Sequence, residues 1–219
     1  SVMLTRELTG ILQLLKNAGI TAIPYKGPAL AALLYGNLAL REFTDLDVLV
    51  RPKDALAAKD LLIGRGYQLE MPLTPVQARA LVRAKAEYFL RLDREIQSGR
   101  VALELHWRIP ATCPLDHDAL WRRLQPVRIL DQSWPHFAPE DLLLILCTHG
   151  FKHAWNTLKW IADVSQLITG TPLDWDDAIE RARQQGGVRT ILLGAAIAHA
   201  TLGTPLLPHV IRRIERDSF

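Results

Sequence analysis

Residues 26–50 hold the pattern that most constrains the fold: a glycine turn, a helical segment and then a strand that carries two acids. Gly27 follows a short apolar run, and Pro28 suits the first turn of a helix, where a missing N–H costs nothing. Side chains alternate between the two faces of a strand, so Asp45 and Asp47 point to the same side. Neighbouring carboxylates repel each other unless a cation lies between them. The pattern therefore predicts a cation site, and its oxygen ligands suit Mg²⁺.

A pair of strands is predicted further along the chain, at residues 88–92 and 101–107, with a polar turn near Ser98. Glu104 and His106 share the face of the second strand that is opposite its apolar residues. If this strand lies beside the first acidic strand, Glu104 becomes a third candidate metal ligand. His106 has two interpretations, a group that orients a metal ligand or an ordinary half-buried strand histidine, and we favour the second.

Together these segments resemble the nucleotidyltransferase superfamily that includes DNA polymerase beta, and in particular a bacterial family of uncharacterised nucleotidyltransferases. The matching positions are Lys26-Gly27, Leu34-Tyr35, Arg41, Asp45-Leu46-Asp47 and Leu105-His106-Trp107. The resemblance extends through nearly the whole chain. One departure is Pro28, which stands where the superfamily usually has a second glycine or a serine, so the serine hydroxyl contact to phosphate is absent.

The resemblance implies an enzyme with an NTP substrate and two Mg²⁺ (or Mn²⁺) ions. The metal ligands and catalytic residues would be Asp45, Asp47 and Glu104. Lys26 and Gly27 would bind the triphosphate, the first as a point charge and the second by close backbone approach. Arg41 would grip a phosphate, and the alternative for this residue is a solvated loop arginine.

The second half of the chain contains a cluster of basic and aromatic residues. Its candidate nucleotide-binding residues are His149, Lys152, His153, Lys159 and Asp163. By resemblance, these helices would contact the nucleotide or the acceptor. Two alternatives stay open: histidines packed where two helices meet, or a zinc site, although Gly150 stands where a zinc protease would need its glutamate.

The predicted fold class is α+β. Residues 1–130 would form a nucleotidyltransferase α/β domain with a small mixed sheet, and residues 131–219 an α-helical domain that closes the cleft. Helical periodicity without strand signals after about residue 138 supports this division. The predicted helices there cover about 139–153, 157–168, 175–185 and 188–202, and a last one begins near 206.

Composition narrows the class of partner. The net charge of +3 suits an anionic substrate. The sequence contains no run of Lys and Arg residues, so nucleic acid is not favoured as a partner. The two cysteines, Cys113 and Cys147, lie far apart and show no metal spacing, which favours a reducing cytoplasm. No apolar run approaches the ~18 residues of a membrane span.

We therefore expect a metal-dependent nucleotidyltransferase that moves NMP from an NTP to a hydroxyl or phosphate of a small molecule, peptide, protein or RNA. The alternatives are a non-catalytic nucleotide-binding or scaffold protein with the same fold, and a zinc hydrolase at His149 and His153. The acceptor, the base of the nucleotide and the oligomeric state are not predicted.

Overall fold

The structure, a computed structural model of the chain, describes residues 2–84, 89–96, 99–109 and 115–217. It divides into two units, the first made of Ser1–Ile109 with Pro126–His136 and the second of Pro110–Gln125 with Phe137–Phe219. Each unit is formed by two separate stretches of the chain, whereas the sequence analysis placed a single domain boundary at residue 130. Tyr88, Ser98 and Cys113 lie outside the described residues.

The first unit alternates helices and strands before the chain crosses to the second. Its elements are α1 (Val2–Asn17), β1 (Ala22–Pro24), α2 (Gly27–Tyr35), β2 (Asp45–Val50), a 3-10 turn (Pro52–Asp54), α3 (Ala55–Gly64), β3 (Gln68–Leu69), α4 (Pro75–Arg83), β4 (Phe89–Ile96) and β5 (Gly99–His106). The later elements are α5 (His117–Arg122), β6 (Gln125–Ile129), β7 (Gln132–His136), α6 (Pro139–Lys152), α7 (Leu158–Gly170), α8 (Trp175–Gln184), α9 (Val188–Leu202) and α10 (Pro208–Arg216). The α+β class, with a small mixed sheet and a helical C-terminal region, is confirmed.

A five-stranded sheet in the order β1-β2-β5-β4-β3 forms the centre of the first unit. Strands β2 and β5 are parallel, and the other neighbours are antiparallel. The apolar faces predicted for β2 and β5 are buried, with Leu46, Val48, Leu103 and Leu105 each 0% exposed. The apolar stripe of α1 belongs to the same hydrophobic core. The opposite face of these two strands is therefore left for the acidic side chains.

The hairpin of β6 and β7 and the short helix α5 were not predicted. Each strand of the hairpin contains a proline, Pro126 and Pro135, and proline within an apolar run argues against a strand. The turn between the strands is Leu130-Asp131, with Leu130 at a φ of 53° instead of the glycine or asparagine usual in such turns. Neither the strands nor the turn had a recognisable signal.

Helix α2 begins at a tight turn. Gly27 has a φ of +53°, a conformation that favours glycine. A Cβ at this position would lie 3.1 Å from the carbonyl oxygen of Asp45, at the start of β2. Glycine therefore allows the backbone of the turn to approach the backbone at the start of β2, where Asp45 lies. The same helix ends at Gly36, also with positive φ (62°), where an added Cβ would meet nothing within 4 Å.

A charged cluster links α1 to the sheet of the first unit. The carboxylate of Glu7 accepts hydrogen bonds from Arg65 Nε at 3.1 Å, Arg94 Nη1 at 3.0 Å and the Tyr67 hydroxyl at 3.0 Å. Burial alone would raise the pKa of Glu7, but the Arg65 guanidinium and the Tyr67 and Arg94 contacts together hold that pKa below its usual value. The ionised form of Glu7 is the one that the fold stabilises.

A second charged cluster holds the helical unit together. Asp141, in the first turn of α6, is 1% exposed and accepts two hydrogen bonds from Arg123, at 2.9 and 2.6 Å, and one from Arg181 at 2.8 Å. Acids in the first turn of a helix interact favourably with the helix dipole. The structure shows that Asp141 also joins α6 to α8 and to the residue that ends α5.

Within the described residues, no helix is long and apolar enough to cross a membrane.

Replacing Glu7 with Gln should lower the free energy of unfolding by about 2 kcal/mol at neutral pH, because charged hydrogen bonds are lost. A lowered pKa in the folded state gives stability that is present above the ordinary value and is lost as pH falls through the lowered one. The difference between wild type and Glu7→Gln should therefore shrink between about pH 7 and about pH 3. Urea unfolding at both values measures it, with the exposed Glu42→Gln as control. A difference that grows on acidification would contradict this account.

Replacing Gly27 with Ala should destabilise the protein more than replacing Gly36 with Ala. Both positions have positive φ, so both substitutions should cost about 1–2 kcal/mol. Only the Gly27→Ala substitution would also crowd the Asp45 carbonyl, which adds a further ~1–3 kcal/mol. Chemical denaturation of the two variants separates the terms, and equal losses would show that the close approach to β2 is unimportant.

Candidate active site

The acidic side chains meet where β2 and β5 run side by side. In the parallel register Asp47 lies directly opposite Glu104, and Asp45 lies opposite Ala102. Alternation along β2 puts Asp45 on the same face as Asp47. Asp47 is 4% exposed, whereas Asp45 and Glu104 are partly exposed. The predicted adjacency of the two acidic strands is therefore present.

His106 lies between the two opposed acids. Its Nε2 is 3.3 Å from Asp47 Oδ1 and 3.1 Å from Glu104 Oε2. Carboxylates only accept hydrogen bonds, so Nε2 carries the hydrogen that points at them. The ring is packed edge-on against Tyr25 and stacked on Phe89, with centroids 5.2 Å away in both cases. The histidine thus has a fixed orientation from which it contacts both carboxylates.

The interpretation of His106 as an ordinary half-buried histidine was wrong, because the residue is 1% exposed and contacts two of the predicted site residues. The sequence placed it on the same face as Glu104, which was correct. Its contact with Asp47 depends on the register between β2 and β5. No local pattern specifies that register, since the two strands are far apart in the sequence.

Lys26 neutralises part of the acidic charge. Its Nζ is 2.6 Å from Asp47 Oδ1, the same oxygen that faces His106. Burial alone would raise the pKa of Asp47, but the Lys26 ammonium and His106 hold that pKa far below its usual range. Burial would likewise lower the pKa of Lys26, but Asp47, helped by Glu104 and Asp45, raises it. Both members of this ion pair therefore stay charged around neutral pH.

Arg41 is buried, with 7% of its surface exposed, and so is not a solvated loop residue. Its Nη1 donates to the carbonyl oxygen of Gly27 at 3.4 Å. The guanidinium therefore supports the glycine turn from which Lys26 projects.

One set of side chains in this region has the arrangement of a metal site. Among the described residues, the group of three or more metal-ligating side chains that come together is Asp47, Glu104 and His106, whose ligand atoms lie within 4.8 Å of one another. The predicted ligand set was Asp45, Asp47 and Glu104. Two of its members are in this group, and Asp45 lies on the same face of β2, two residues before Asp47.

The candidate residues of the helical unit form a separate cluster. The rings of His149 and His153 have centroids 4.8 Å apart, and each lies 5.0 Å from the ring of Trp160. Lys152 is exposed, Lys159 is partly exposed and Asp163 is buried. The structure thus places the two histidines where α6 and α7 meet, which is the packing arrangement that one of the alternatives predicted.

Packing within the helical unit explains why position 150 is a glycine. A Cβ at Gly150 would overlap the ring of Trp155, and one at Gly194 would overlap Cys147 Sγ. Ala154 and Trp155 both have positive φ, at 51° and 52°, so the chain folds back sharply after α6 to bring the indole against that helix. Glycine here makes room for the ring. Within the described ranges, His149 and His153 belong to no three-ligand group, which gives the zinc alternative no geometric support.

Solved structures with a similar fold include a nucleotidyltransferase-like protein and an antibiotic-resistance factor. An antigenic nucleotidyltransferase-like protein from Paracoccidioides brasiliensis is 15% identical with a TM-score of 0.59, over 93% of this chain and 91% of that chain. The solution structure of the antibiotic-resistance factor ANT(2'')-Ia is 12% identical with a TM-score of 0.55, over 90% and 98%. The crystal structure of ANT(2'')-Ia with adenylyl-2''-tobramycin gives 13% and 0.54, over 84% and 97%. At these identities the likeness shows the fold alone.

No protein of curated function gives a significant match. A family model, described as uncharacterised nucleotidyltransferase, matches residues 1–203, nearly the whole chain. Its extent agrees with the sequence features noted above, from the glycine turn through the acidic strands to the helical half. The chain therefore belongs to the uncharacterised nucleotidyltransferase family.

Proposed function

We propose that this protein is a metal-dependent nucleotidyltransferase that moves NMP from an NTP to a hydroxyl or phosphate of an acceptor. Family membership supports the reaction class. The observation that carries the proposal is the opposition of Asp47 and Glu104 across two parallel strands, beside the glycine turn at Gly27 and with Lys26 at hand. Lys26 offsets only part of the charge of Asp45, Asp47 and Glu104, so the site keeps negative charge that a divalent cation would balance.

The donor set fits a divalent ion. Carboxylate oxygens are the ligands that Mg²⁺ takes, completing its shell with water and substrate phosphates. Asp45, Asp47 and Glu104 would hold Mg²⁺ or Mn²⁺, and His106 would fix the carboxylates of Asp47 and Glu104 through its Nε2 hydrogen. When bound, such ions polarise the phosphate and stabilise the entering and leaving oxygens of an in-line displacement.

The triphosphate would bind at the start of α2. Pro28 has no N–H and the N–H of Ala29 donates to the Lys26 carbonyl at 3.2 Å, so the positive end of the helix dipole and the backbone of Gly27 would favour the anion here. Lys26 stands at the N-cap position of this helix, and its ammonium, which is paired with Asp47 at 2.6 Å, would reach phosphate oxygens by exchanging that partner. Arg41 keeps the Gly27 turn in shape through the 3.4 Å contact to its carbonyl. The turn, the lysine and the acids then lie around the first half of β2.

The acceptor hydroxyl needs a group that takes its proton. Asp47 is held as an anion by Lys26 and His106 and is almost fully buried, which suits it to ligation. Asp45 and Glu104 are partly exposed, so a carboxylate oxygen of one of them would accept the proton as the hydroxyl attacks the α-phosphorus.

A small molecule with a hydroxyl group is the acceptor class we favour. ANT(2'')-Ia, which shares the fold, is an antibiotic-resistance factor observed with adenylyl-2''-tobramycin. An RNA acceptor is less favoured because the net charge is only +3. His149, Lys152, His153, Lys159 and Asp163 stay candidates for contacts with the nucleotide or the acceptor. A cytoplasmic location also stays a prediction.

Replacing Asp47 with Asn or Glu104 with Gln should each reduce nucleotidyl transfer by at least ~10²-fold, because a lost metal ligand removes several kcal/mol of transition-state stabilisation. The measurement is label transfer from each α-labelled NTP into a cell lysate, together with pyrophosphate release. Calorimetry should show NTP binding to wild type only when Mg²⁺ or Mn²⁺ is present.

The matched control is Asp131→Asn, an isosteric change at a fully exposed acid of the β6–β7 turn, which should leave transfer unchanged. Circular dichroism shows whether each variant is folded. Metal-dependent NTP binding without transfer to any acceptor would favour the non-catalytic alternative. Full activity of Asp47→Asn and Glu104→Gln would exclude these acids as the metal site.

A further inference from the structure

Lys26 and His106 occupy one carboxylate oxygen of Asp47, so a divalent ion would compete with the Lys26 ammonium for this side chain. Lys26 Nζ is 2.6 Å from Asp47 Oδ1, and His106 Nε2 faces the same oxygen at 3.3 Å. A carboxylate oxygen has about two lone-pair sites, so both are taken by N–H donors. With Asp47 4% exposed and the Lys26 side chain 18% exposed, water contributes little to this arrangement.

An ammonium and a divalent ion cannot both remain at this oxygen. A metal ion bound to Oδ1 at about 2.1 Å would lie within about 5 Å of the lysine nitrogen, since that nitrogen is 2.6 Å from the same oxygen. Charges of the same sign at that separation repel strongly in a partly buried site. An ion at Oδ1 therefore has to displace Lys26, and an ion at the other oxygen of Asp47 would still be repelled by the ammonium while Lys26 stays in place.

A bound triphosphate would offer Lys26 another partner. Lys26 is the residue that caps α2, directly before Gly27, and so stands at the helix end where the triphosphate is proposed to bind. A flexible lysine side chain can reach different partners from one backbone position. Phosphate oxygens would replace Asp47 as the partner of its charge.

We propose that Lys26 couples metal binding to triphosphate binding. Without a triphosphate, the Lys26 ammonium stays at Asp47 and opposes metal binding there. When the ammonium transfers to the triphosphate, Asp47 becomes accessible to the metal ion, and we call this the open form. This inference rests on the proposed function. Metal alone then binds weakly, because the ion must expel a charged lysine that has no new partner. Metal and triphosphate together bind cooperatively, since each makes room for the other.

The test is Lys26→Met, with Mn²⁺ alone as the probe and electron paramagnetic resonance as the measurement of free and bound ion. If the open form makes up about a tenth of wild-type molecules, the variant should bind Mn²⁺ about tenfold more tightly. In contrast, it should bind the α,β-methylene analogue of the NTP, with Mn²⁺ present, more weakly than wild type. One substitution thus shifts two affinities in opposite directions, whereas a general loss of structure would weaken both.

Three further measurements keep the test independent of folding. Lys26→Gln, also neutral, should shift both affinities in the same directions as Lys26→Met. Lys53→Met, which removes an equal charge from an exposed residue, should change neither. Mn²⁺ alone should raise the thermal unfolding temperature of Lys26→Met more than that of wild type, because a ligand of the folded state stabilises it more as its affinity rises.

Unchanged or weaker Mn²⁺ binding by both Lys26 variants would overturn the inference, even if wild type binds the nucleotide analogue normally. If wild type does not bind the analogue with Mn²⁺ at all, the proposed function itself fails. The two failures are therefore distinguishable, because the second is visible in wild type without any variant.

Discussion

The parallel pairing of β2 with β5 is the constraint on which the candidate site depends. It sets Asp47 opposite Glu104 and puts His106 within reach of both. Parallel neighbours cannot be joined by a tight turn, so α3, β3, α4 and β4 fill the connection and return the chain in the right direction. A slip of one residue in this register would turn Glu104 and His106 toward the apolar core. The buried leucines on the opposite face of both strands therefore fix the site as well as the fold.

The charges of the site are balanced within a small volume. Lys26 and the His106 hydrogen offset the repulsion among the carboxylates, and an apolar wall of Tyr25 and Phe89 holds the histidine ring in place. Such an arrangement stabilises the empty site while leaving a surplus of negative charge for a cation. The glycine turn is part of the same construction, because it brings the start of α2 against the start of β2.

Much of this was predictable from local pattern. Alternation placed Asp45 with Asp47 and Glu104 with His106, and the resemblance to nucleotidyltransferases joined the two pairs. The β6–β7 hairpin was missed because Pro126, Pro135 and a turn without glycine hide it. The burial of His106 and Arg41 was not predicted, for another reason. Their contacts, with Asp47 and with the Gly27 carbonyl, are made between segments whose relative position only the folded sheet determines.

The central claim is that Asp47 and Glu104 together ligate a divalent ion beside a bound triphosphate. Anomalous X-ray diffraction from crystals grown with Mn²⁺ and a non-reactive NTP analogue tests it most directly. The account predicts an anomalous peak within about 2.2 Å of a carboxylate oxygen from each of these two residues. A peak elsewhere, for example at His149 and His153, with none between Asp47 and Glu104, would contradict it.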